Sequence, residues 1–327
     1  MKKNINISHS RMVDLRRVGH NFDEYFRFII KKIFPNTDYI FNIVPSAVAE
    51  YVVYFGHEFR AKGSKPGDFR TDPTHPHVKI FLTWEPPSKD NFDDYDWIYS
   101  WVYDDMVCRN NHMRFPFYYL FDPYGKIESN KENLENILSK KTKFCNFIYS
   151  REVRIRNEFF RKLSKYKKVD APGKCCNNMP RLEKPVAGGP TVYKPFDFLN
   201  QYKFSISFEN SSFIGYTTEK VLESSLSTAI PIYWGNPWIH RDFNVNRLID
   251  INEDNDPIPG FGKNYAIYDY SQYPSKILTE KMDEAIEKII KLDNHDDIYI
   301  EMAGQPYINK PDVFSEKLAK RASDIFG

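Results

Sequence analysis

The sequence predicts an α/β protein of two domains with parallel sheets. Three observations predict it. Its 327 residues exceed what one ordinary core holds. Short runs rich in β-branched and aromatic residues recur along the chain. In the second half these runs alternate with stretches of helical periodicity, the pattern of βαβ units and a parallel sheet. Ligands of such sheets gather at the carboxyl ends of the strands, so the loops there are the places to look for chemistry.

In chain order, residues 11–34 place Phe22, Tyr25, Phe26, Ile29, Ile30 and Ile33 at helical spacing among Arg and Lys, and Pro35 ends the run. Four strand-like runs follow: YIFNIV (39–44), YVVYF (51–55), VKIFLTW (78–84) and DWIYSWVY (96–103). An aromatic segment, FPFYYLFDPYG, leads into the polar helical stretch KIESNKENLENILSKK. A second set begins with KFCNFIYS (143–150) as a strand, then REVRIRNEFFRKLSKY as a helix and KKVDAPG as a strand. PFDFLNQY reads as a short helix, KFSISFEN as a strand, TEKVLESSLS as a helix, and AIPIYWG and RLIDIN as strands. LTEKMDEAIEKIIKL (278–292) sets Met282, Ala285, Ile286, Ile289 and Ile290 on one helical face, and the tail from Pro311 reads as a last helix. The resulting division is an N-terminal domain over 1–140, a C-terminal domain over 141–305 and a tail helix over 306–327.

Composition narrows the function. The formal net charge of +2 leaves no broad basic footprint for nucleic acid. No run of 18 apolar residues marks a membrane span, and MKKNINISHSR has no apolar stretch of a signal peptide behind its lysines. The cysteines at 108, 145, 175 and 176 include an adjacent pair but no C-x-x-C spacing, which suggests neither zinc nor a disulfide framework and fits a reducing compartment. Aromatic residues make up 16%; their faces suit sugars or bases, and equally fill cores in a chain poor in alanine.

The strand-end loops to inspect are GKCCNNMPR, FENSSFIGYTTEK and YWGNPWIHRD. No G-x-x-x-x-G-K-[ST] or G-x-G-x-x-G occurs, so any phosphate site must be built otherwise. In FENSSFIGYTTEK a strand ends near Phe208, Gly215 allows a tight path and a helix starts near Thr217. A helix start attracts anions, and Lys220 adds a full charge there. Glu219 can accept from sugar hydroxyls, and Tyr216 can stack or donate to phosphate; an ordinary strand-to-helix connection with a solvated Glu and Lys has the same spacing. In HVKIFLTWEPPS, Glu85 stands at a strand mouth beside Trp84 and before Pro86-Pro87, the placement of a general base or of a plain loop carboxylate. Asp94-Tyr95-Asp96 and Asp254-Asn255-Asp256 match D-x-D by chance expectation, and His75-Pro76-His77 reads as a turn rather than a metal pair. The basic cluster around Arg151, Arg154 and Arg156 is mostly a solvated helix face whose first residues can reach a phosphate.

Taken together, TWEPPS, YKFSISFENSSFIGYTTEKVLES and AIPIYWGNPWIHRDF resemble the α1,3-fucosyltransferases, over roughly Val78 to Asp250. The resemblance implies a GT-B fold, two Rossmann-like domains facing each other across a cleft, with acceptor on the N-terminal one and GDP-fucose on the C-terminal one. It implies inverting transfer of L-fucose to the 3-hydroxyl of N-acetylglucosamine in lactosamine-type glycans, a Lewis x type product, with 1,4 transfer as a possible extension. Glu85 matches the family's base. Asn210, Tyr216, Glu219 and Lys220 match donor-site positions, Glu219 either holding ribose or offsetting charge on the fucose ring. The further basic contact to diphosphate falls to Lys174, with Arg181 as alternative, and Arg154 is a second phosphate candidate. Trp84, His75 and His77 are acceptor candidates, with Trp97 and Trp101 nearby. The resemblance implies no required cofactor and no metal, a divalent cation serving at most as a stimulant. The sequence shows neither the heptad repeats and basic tail of some bacterial members nor the anchor and disulfides of mammalian ones, so a bacterial-type monomer in the cytoplasm is expected. A GT-B transferase with another sugar nucleotide, or a non-catalytic glycan-binding module, are the alternatives.

Overall fold

A computed structural model describes residues 2–9, 22–35, 38–56, 76–84, 92–121, 134–182, 196–253, 275–308 and 313–327. These fall into two compact units, one formed chiefly by residues 1–120 with 312–327 and the other chiefly by 121–311.

The first unit holds a six-stranded sheet of β1 (Lys3–His9), β2 (Tyr39–Ile43), β3 (Tyr51–Phe55), β4 (Val78–Leu82), β5 (Trp97–Ser100) and β6 (His112–Arg114). All neighbours are parallel and the spatial order is β2-β1-β3-β4-β5-β6. Helix α1 (Phe22–Ile33) buries Phe26, Ile29, Ile30 and Ile33, the apolar stripe read from the sequence. Residues 11–21, the earlier part of that expected helix, lie outside the described residues. The strands β1 and β6 were not expected. In β1, Ile5 and Ile7 are buried at the period of a strand, but Asn and Ser between them weaken the β signal. A short helix, α2 (Asp104–Val107), links β5 to β6.

The second unit begins with α3 (Leu134–Lys140), read from the sequence as the end of the first domain. Its Leu138 packs on the second unit's core instead. There follow β7 (Lys143–Asn146), α4 (Arg154–Leu163), β8 (Val169–Asp170), α5 (Phe196–Leu199), β9 (Tyr202–Phe208), α6 (Glu219–Leu226), β10 (Ile230–Trp234), β11 (Ile249–Asp250), α7 (Lys276–Asn294) and α8 (Asp296–Ala303). The parallel sheet runs β11-β10-β9-β7-β8. Strand order thus reverses between β7 and β9: the chain leaves β7 for the outer β8 and returns to β9. In open α/β sheets this reversal is where ligands bind, outside the carboxyl ends. Both faces are covered, so β9 and β10 are buried almost throughout and read as continuous apolar or small-residue runs rather than alternating ones. Helix α7 buries Leu278, Met282, Ala285 and Ile289, and Ser275 caps its start by accepting from the Leu278 N–H. Helix α8 was not expected; its Tyr299 is fully buried and donates to the Lys203 carbonyl.

The tail helix, α9 (Val313–Phe326), belongs to the first unit. Phe326 lies among the rings of Phe34, Tyr39, Phe41 and Tyr51, with centroids 4.7–5.4 Å away. Arg321 donates to the carbonyls of Asn110 and His112 and covers the Trp97 ring. No described helix is long and apolar enough to cross a membrane.

Candidate functional site

β9 outruns β7. The last β7 residue, Asn146, pairs with Ser205, which leaves the β7-facing edge of residues 206–208 without a strand partner. Side chains from the β7–α4 connection take its place. The Tyr149 hydroxyl donates to the Ile206 carbonyl and accepts from the Phe208 N–H, both at 2.7 Å. Arg156 donates to the Phe208 carbonyl through Nε (3.2 Å) and a terminal nitrogen (2.9 Å), and its guanidinium lies 4.1 Å from the Tyr149 ring centroid. Burial, the largest influence, pushes the Tyr149 hydroxyl well above the usual tyrosine range, so it stays a neutral donor. A buried arginine and tyrosine therefore close the sheet at the switch point.

On the other side of the same strand end, Glu209 is fully buried. Its backbone N–H still bonds the Trp234 carbonyl, and its carboxylate turns to the start of α6. The carboxylate accepts from the Thr218 N–H (2.8 Å), from the Thr218 hydroxyl (2.7 Å at its nearer oxygen) and from Lys220 Nζ (3.1 Å). Lys220 Nζ also contacts Thr218 Oγ1 at 2.8 Å and Glu219 Oε1 at 3.2 Å. Burial opposes the charge on Lys220, but Glu209 and then Glu219 more than reverse this and hold its pKa above the ordinary lysine range. Room for Glu209 comes from Gly235: a Cβ there would stand 2.4 Å from Glu209 Cγ and 2.9 Å from the Tyr233 hydroxyl.

Asn236 braces the two loops that follow β9 and β10. Its Oδ1 accepts from the N–H groups of Gly215 (2.8 Å) and Trp238 (3.0 Å), and its Nδ2 donates to Thr217 Oγ1 (3.0 Å). Thr217 in turn donates to Asp242 at 2.9 Å, and Ser212 to the Gly235 carbonyl at 2.6 Å. Gly215 takes φ 96°, a left-handed conformation that favours glycine. Tyr216 is 1% exposed and its hydroxyl donates to Asn210 Oδ1 at 3.0 Å. The stacking role read from the sequence therefore has no open ring face, and only the hydroxyl remains for a ligand.

The structure thus brings Asn210, Tyr216, Glu219 and Lys220 together at the β9–α6 turn. Lys174 and Arg181 are exposed in the loop after β8, and Arg154 is exposed at the first residue of α4. It is Arg156, two residues on, that reaches the switch point. Glu85 and His75 lie outside the described residues. Trp84 is a core residue, 1% exposed and packed among Phe55, Phe115 and Phe117, so it offers no face to an acceptor. His77 shares a 2.8 Å hydrogen bond between its Nε2 and the Tyr54 hydroxyl. Of the D-x-D matches, Asp96 accepts from the Lys79 N–H at 2.7 Å, a backbone role, and residues 254–256 lie outside the described residues. The sequence reading missed Glu209, Asn236 and Tyr149 as site builders, and it gave Arg156 a phosphate where the structure gives it the Phe208 carbonyl. The signal for Glu209 was its place one residue beyond a buried strand, shared by many solvated acids.

A cation held at a helix start beside a switch point is equipped for an anionic group such as a diphosphate. Two parallel, doubly wound sheets in separate units, with this site in the second, define the GT-B class of fold. Residues 138–252 match the family model for glycosyltransferase family 10 (fucosyltransferase), C-terminal part. That stretch holds the β9–α6 turn, so the site lies in the part of the chain that is similar to family 10 fucosyltransferases. Among similar proteins, a putative fucosyltransferase of Acanthamoeba polyphaga mimivirus is 29% identical over 198 residues, 60% of this chain and 29% of its own length. An alpha-(1,3)-fucosyltransferase of Helicobacter pylori is 27% identical over 267 residues, 72% of this chain and 48% of its own. The chain thus spans about half or less of these relatives. Crystal structures of an alpha1,3-fucosyltransferase share the fold: one superposes with a TM-score of 0.67, and one with GDP-fucose with 0.64, each at 21% identity and covering 99% of this chain and 90% and 91% of theirs.

Proposed function

We propose that the chain is an inverting α1,3-fucosyltransferase that moves L-fucose from GDP-fucose to the 3-hydroxyl of N-acetylglucosamine in lactosamine-type glycans, giving a Lewis x type product. The observation that carries this reading is Lys220, half-buried, charged and fixed by the fully buried Glu209 at the start of α6, where the β-strand order reverses. GDP is the leaving group. As the bond from fucose C1 to the β-phosphate oxygen stretches, negative charge grows on the diphosphate, and Lys220 with the α6 N-terminus stabilises it. Arg156 acts from behind: it holds the end of β9 rather than the phosphate. Glu85 takes the proton from the acceptor hydroxyl as that oxygen attacks C1 from the opposite face, so the configuration inverts and no covalent enzyme intermediate forms. Asn210 and the Tyr216 hydroxyl orient the nucleotide. Glu219 either accepts from the ribose or offsets positive charge at the fucose ring. Of the basic residues in the loop after β8, Lys174 supplies the second contact to diphosphate. No cofactor enters the reaction.

The test is GDP release and product mass after mixing the protein with GDP-fucose and N-acetyllactosamine, run beside Glu85→Gln and with GDP and UDP as competitors. The reading expects a product heavier by one fucose, its loss in Glu85→Gln with GDP binding retained, and competition by GDP only. Competition by UDP would move the donor to another sugar nucleotide. Binding of GDP-fucose without transfer would leave the donor site and remove the acceptor assignment. No GDP binding at all would overturn the reading of the β9–α6 turn.

A further inference from the structure

Cys175 and Cys176 lie in the loop after β8, and the reaction gives them no role. Adjacent residues of an extended chain point their side chains to opposite faces. Here the two sulfurs stand 3.8 Å apart, and both face Asn157 Oδ1, at 3.0 Å from Cys175 and 3.6 Å from Cys176. The convergence comes from the backbone. Cys176 has φ 51°, the left-handed region that residues with a Cβ avoid. The loop is built to keep it there: the Cys175 N–H bonds the Tyr149 carbonyl at 2.9 Å, and Asn177 Nδ2 donates to the carbonyls of Ala171, Gly173 and Met179. Asn178 accepts from the Ala171 N–H and donates to the Val169 carbonyl. Gly173 completes the seat, because a Cβ there would lie 2.5 Å from the Tyr149 carbonyl oxygen. A strained residue held by its surroundings at two converging thiols is an observation that asks for a ligand.

We propose that Cys175 and Cys176 form a preorganised dithiol site for a thiophilic centre with two open valences, of which a monosubstituted trivalent arsenical is the type. Two sulfurs 3.8 Å apart reach one centre through bonds of about 2.3 Å, the length of a zinc–thiolate bond, at an angle of about 111°. Zinc itself takes four ligands in a structural site, and among the described residues no group of three or more His, Cys, Asp or Glu side chains is gathered, so the pair favours a centre satisfied by two. Cys175 is 2% exposed and Cys176 half-buried, so access runs through Cys176. Burial, then the neighbouring thiol, pushes Cys175 up to about 12, which keeps it a protonated thiol toward ordinary alkylating agents and leaves chelation as its route to reaction. With an arsenoxide, two arsenic–sulfur bonds form, the arsenic–oxygen bond breaks, and both thiol protons leave with that oxygen as water. Nothing is oxidised or reduced. The site does not depend on the donor reading.

The experiment titrates the full chain with phenylarsine oxide and reads intact mass. One adduct per chain is expected, equal to the reagent less one water, released by 2,3-dimercaptopropanol and resistant to excess 2-mercaptoethanol. Cys176→Ser is expected to abolish it, whereas Cys108→Ser and Cys145→Ala retain it. Because the fold supplies the convergence, the native chain should hold the reagent at least tenfold more tightly than the same chain in concentrated urea. An adduct that survives Cys176→Ser, release by the monothiol, equal affinity in urea, or no adduct at all would each overturn the proposal.

Discussion

Replacing Glu209 by Gln keeps the side chain's shape and removes its charge, which isolates what the carboxylate does at the start of α6. In the native chain this fully buried group receives the Thr218 N–H, the Thr218 hydroxyl and Lys220 Nζ, the last at 3.1 Å. Breaking a buried ion pair from one side costs ~3–5 kcal/mol, since the remaining charge stays buried. Here the loss is smaller, because the amide oxygen still accepts one bond and Glu219 still faces Lys220 at 3.2 Å. A loss of about 2–4 kcal/mol follows, allowing for those two residual contacts. For a unit of this size that lowers the melting temperature by roughly 4–16 °C. The assay is thermal and urea unfolding of Glu209→Gln, Lys220→Met and the double variant. With both partners neutral no buried charge is stranded, so the double variant should be less damaged than the sum of the singles by at least ~1 kcal/mol. A Glu209→Gln melt within about 1 °C of the parent, or strict additivity, would refute the claim that the buried Glu209 is coupled to Lys220.

Gly235→Ala forces a methyl to within 2.4 Å of Glu209 Cγ, and overpacking of that kind costs ~1–3 kcal/mol; urea midpoints check it, and an unshifted midpoint would show that Glu209 moves freely. Phe326→Ala empties a site walled by Phe34, Tyr39, Phe41 and Tyr51 and is expected to cost about 3–5 kcal/mol in the first unit, seen as earlier loss of near-ultraviolet circular dichroism. Acid should destabilise the same unit. His112 sits between Ser100 Oγ (2.7 Å) and Asp104 (3.0 Å), facing Arg114 and Arg321, and burial lowers its pKa despite Asp104. A histidine kept neutral in the fold binds fewer protons than in the unfolded chain, so its stability is present above pH 6.5 and lost as pH falls below that. Urea midpoints from pH 7.5 to 5 should fall, and His112→Gln should flatten the trend; a rise on acidification contradicts the sign.

Much of the second unit was legible because its strands are buried on both faces and its helices are amphipathic, so the two periods separate cleanly. KFSISFEN, AIPIYWG and the 278–292 stripe became β9, β10 and α7 with only frayed ends. In the first unit β1 escaped because Asn4, Asn6 and Ser8 dilute two isoleucines, and β6 because three residues, His112 to Arg114, carry no period at all. The site was half legible. Tyr216, Glu219 and Lys220 lie next to one another in the chain, whereas Glu209 and Lys220 are 11 residues apart and Asn236 joins them only across β10. Local sequence carries no sign of which acid folds back on which lysine. The same holds for the cysteine pair: adjacency was plain, but convergence depends on the φ of Cys176.

How Lys220 is occupied sets what Glu219 must do when a diphosphate arrives. An ammonium has three donors, and Lys220 meets three oxygens: Glu209 Oε2, Thr218 Oγ1 and Glu219 Oε1. A diphosphate oxygen can reach Lys220 only by taking one of these places. Glu209 is sealed and doubly tied to Thr218, whereas the Glu219 side chain is 13% exposed, more than the other carboxylate, and makes the longest of the three contacts. On the proposed reading, then, GDP displaces Glu219 from Lys220 and turns its carboxylate toward the ribose or the fucose ring. The two roles separate in Glu219→Gln, measured by calorimetry with GDP alone. If Glu219 accepts from ribose hydroxyls, losing that charge-assisted bond weakens GDP by about 1.5–3 kcal/mol, roughly 10- to 150-fold. If it serves the fucose ring, GDP binds as tightly or more so, because a competitor for Lys220 has gone, while turnover of GDP-fucose falls. Unchanged GDP binding together with unchanged turnover would mean that Glu219 does neither, and that the displacement argument fails with it.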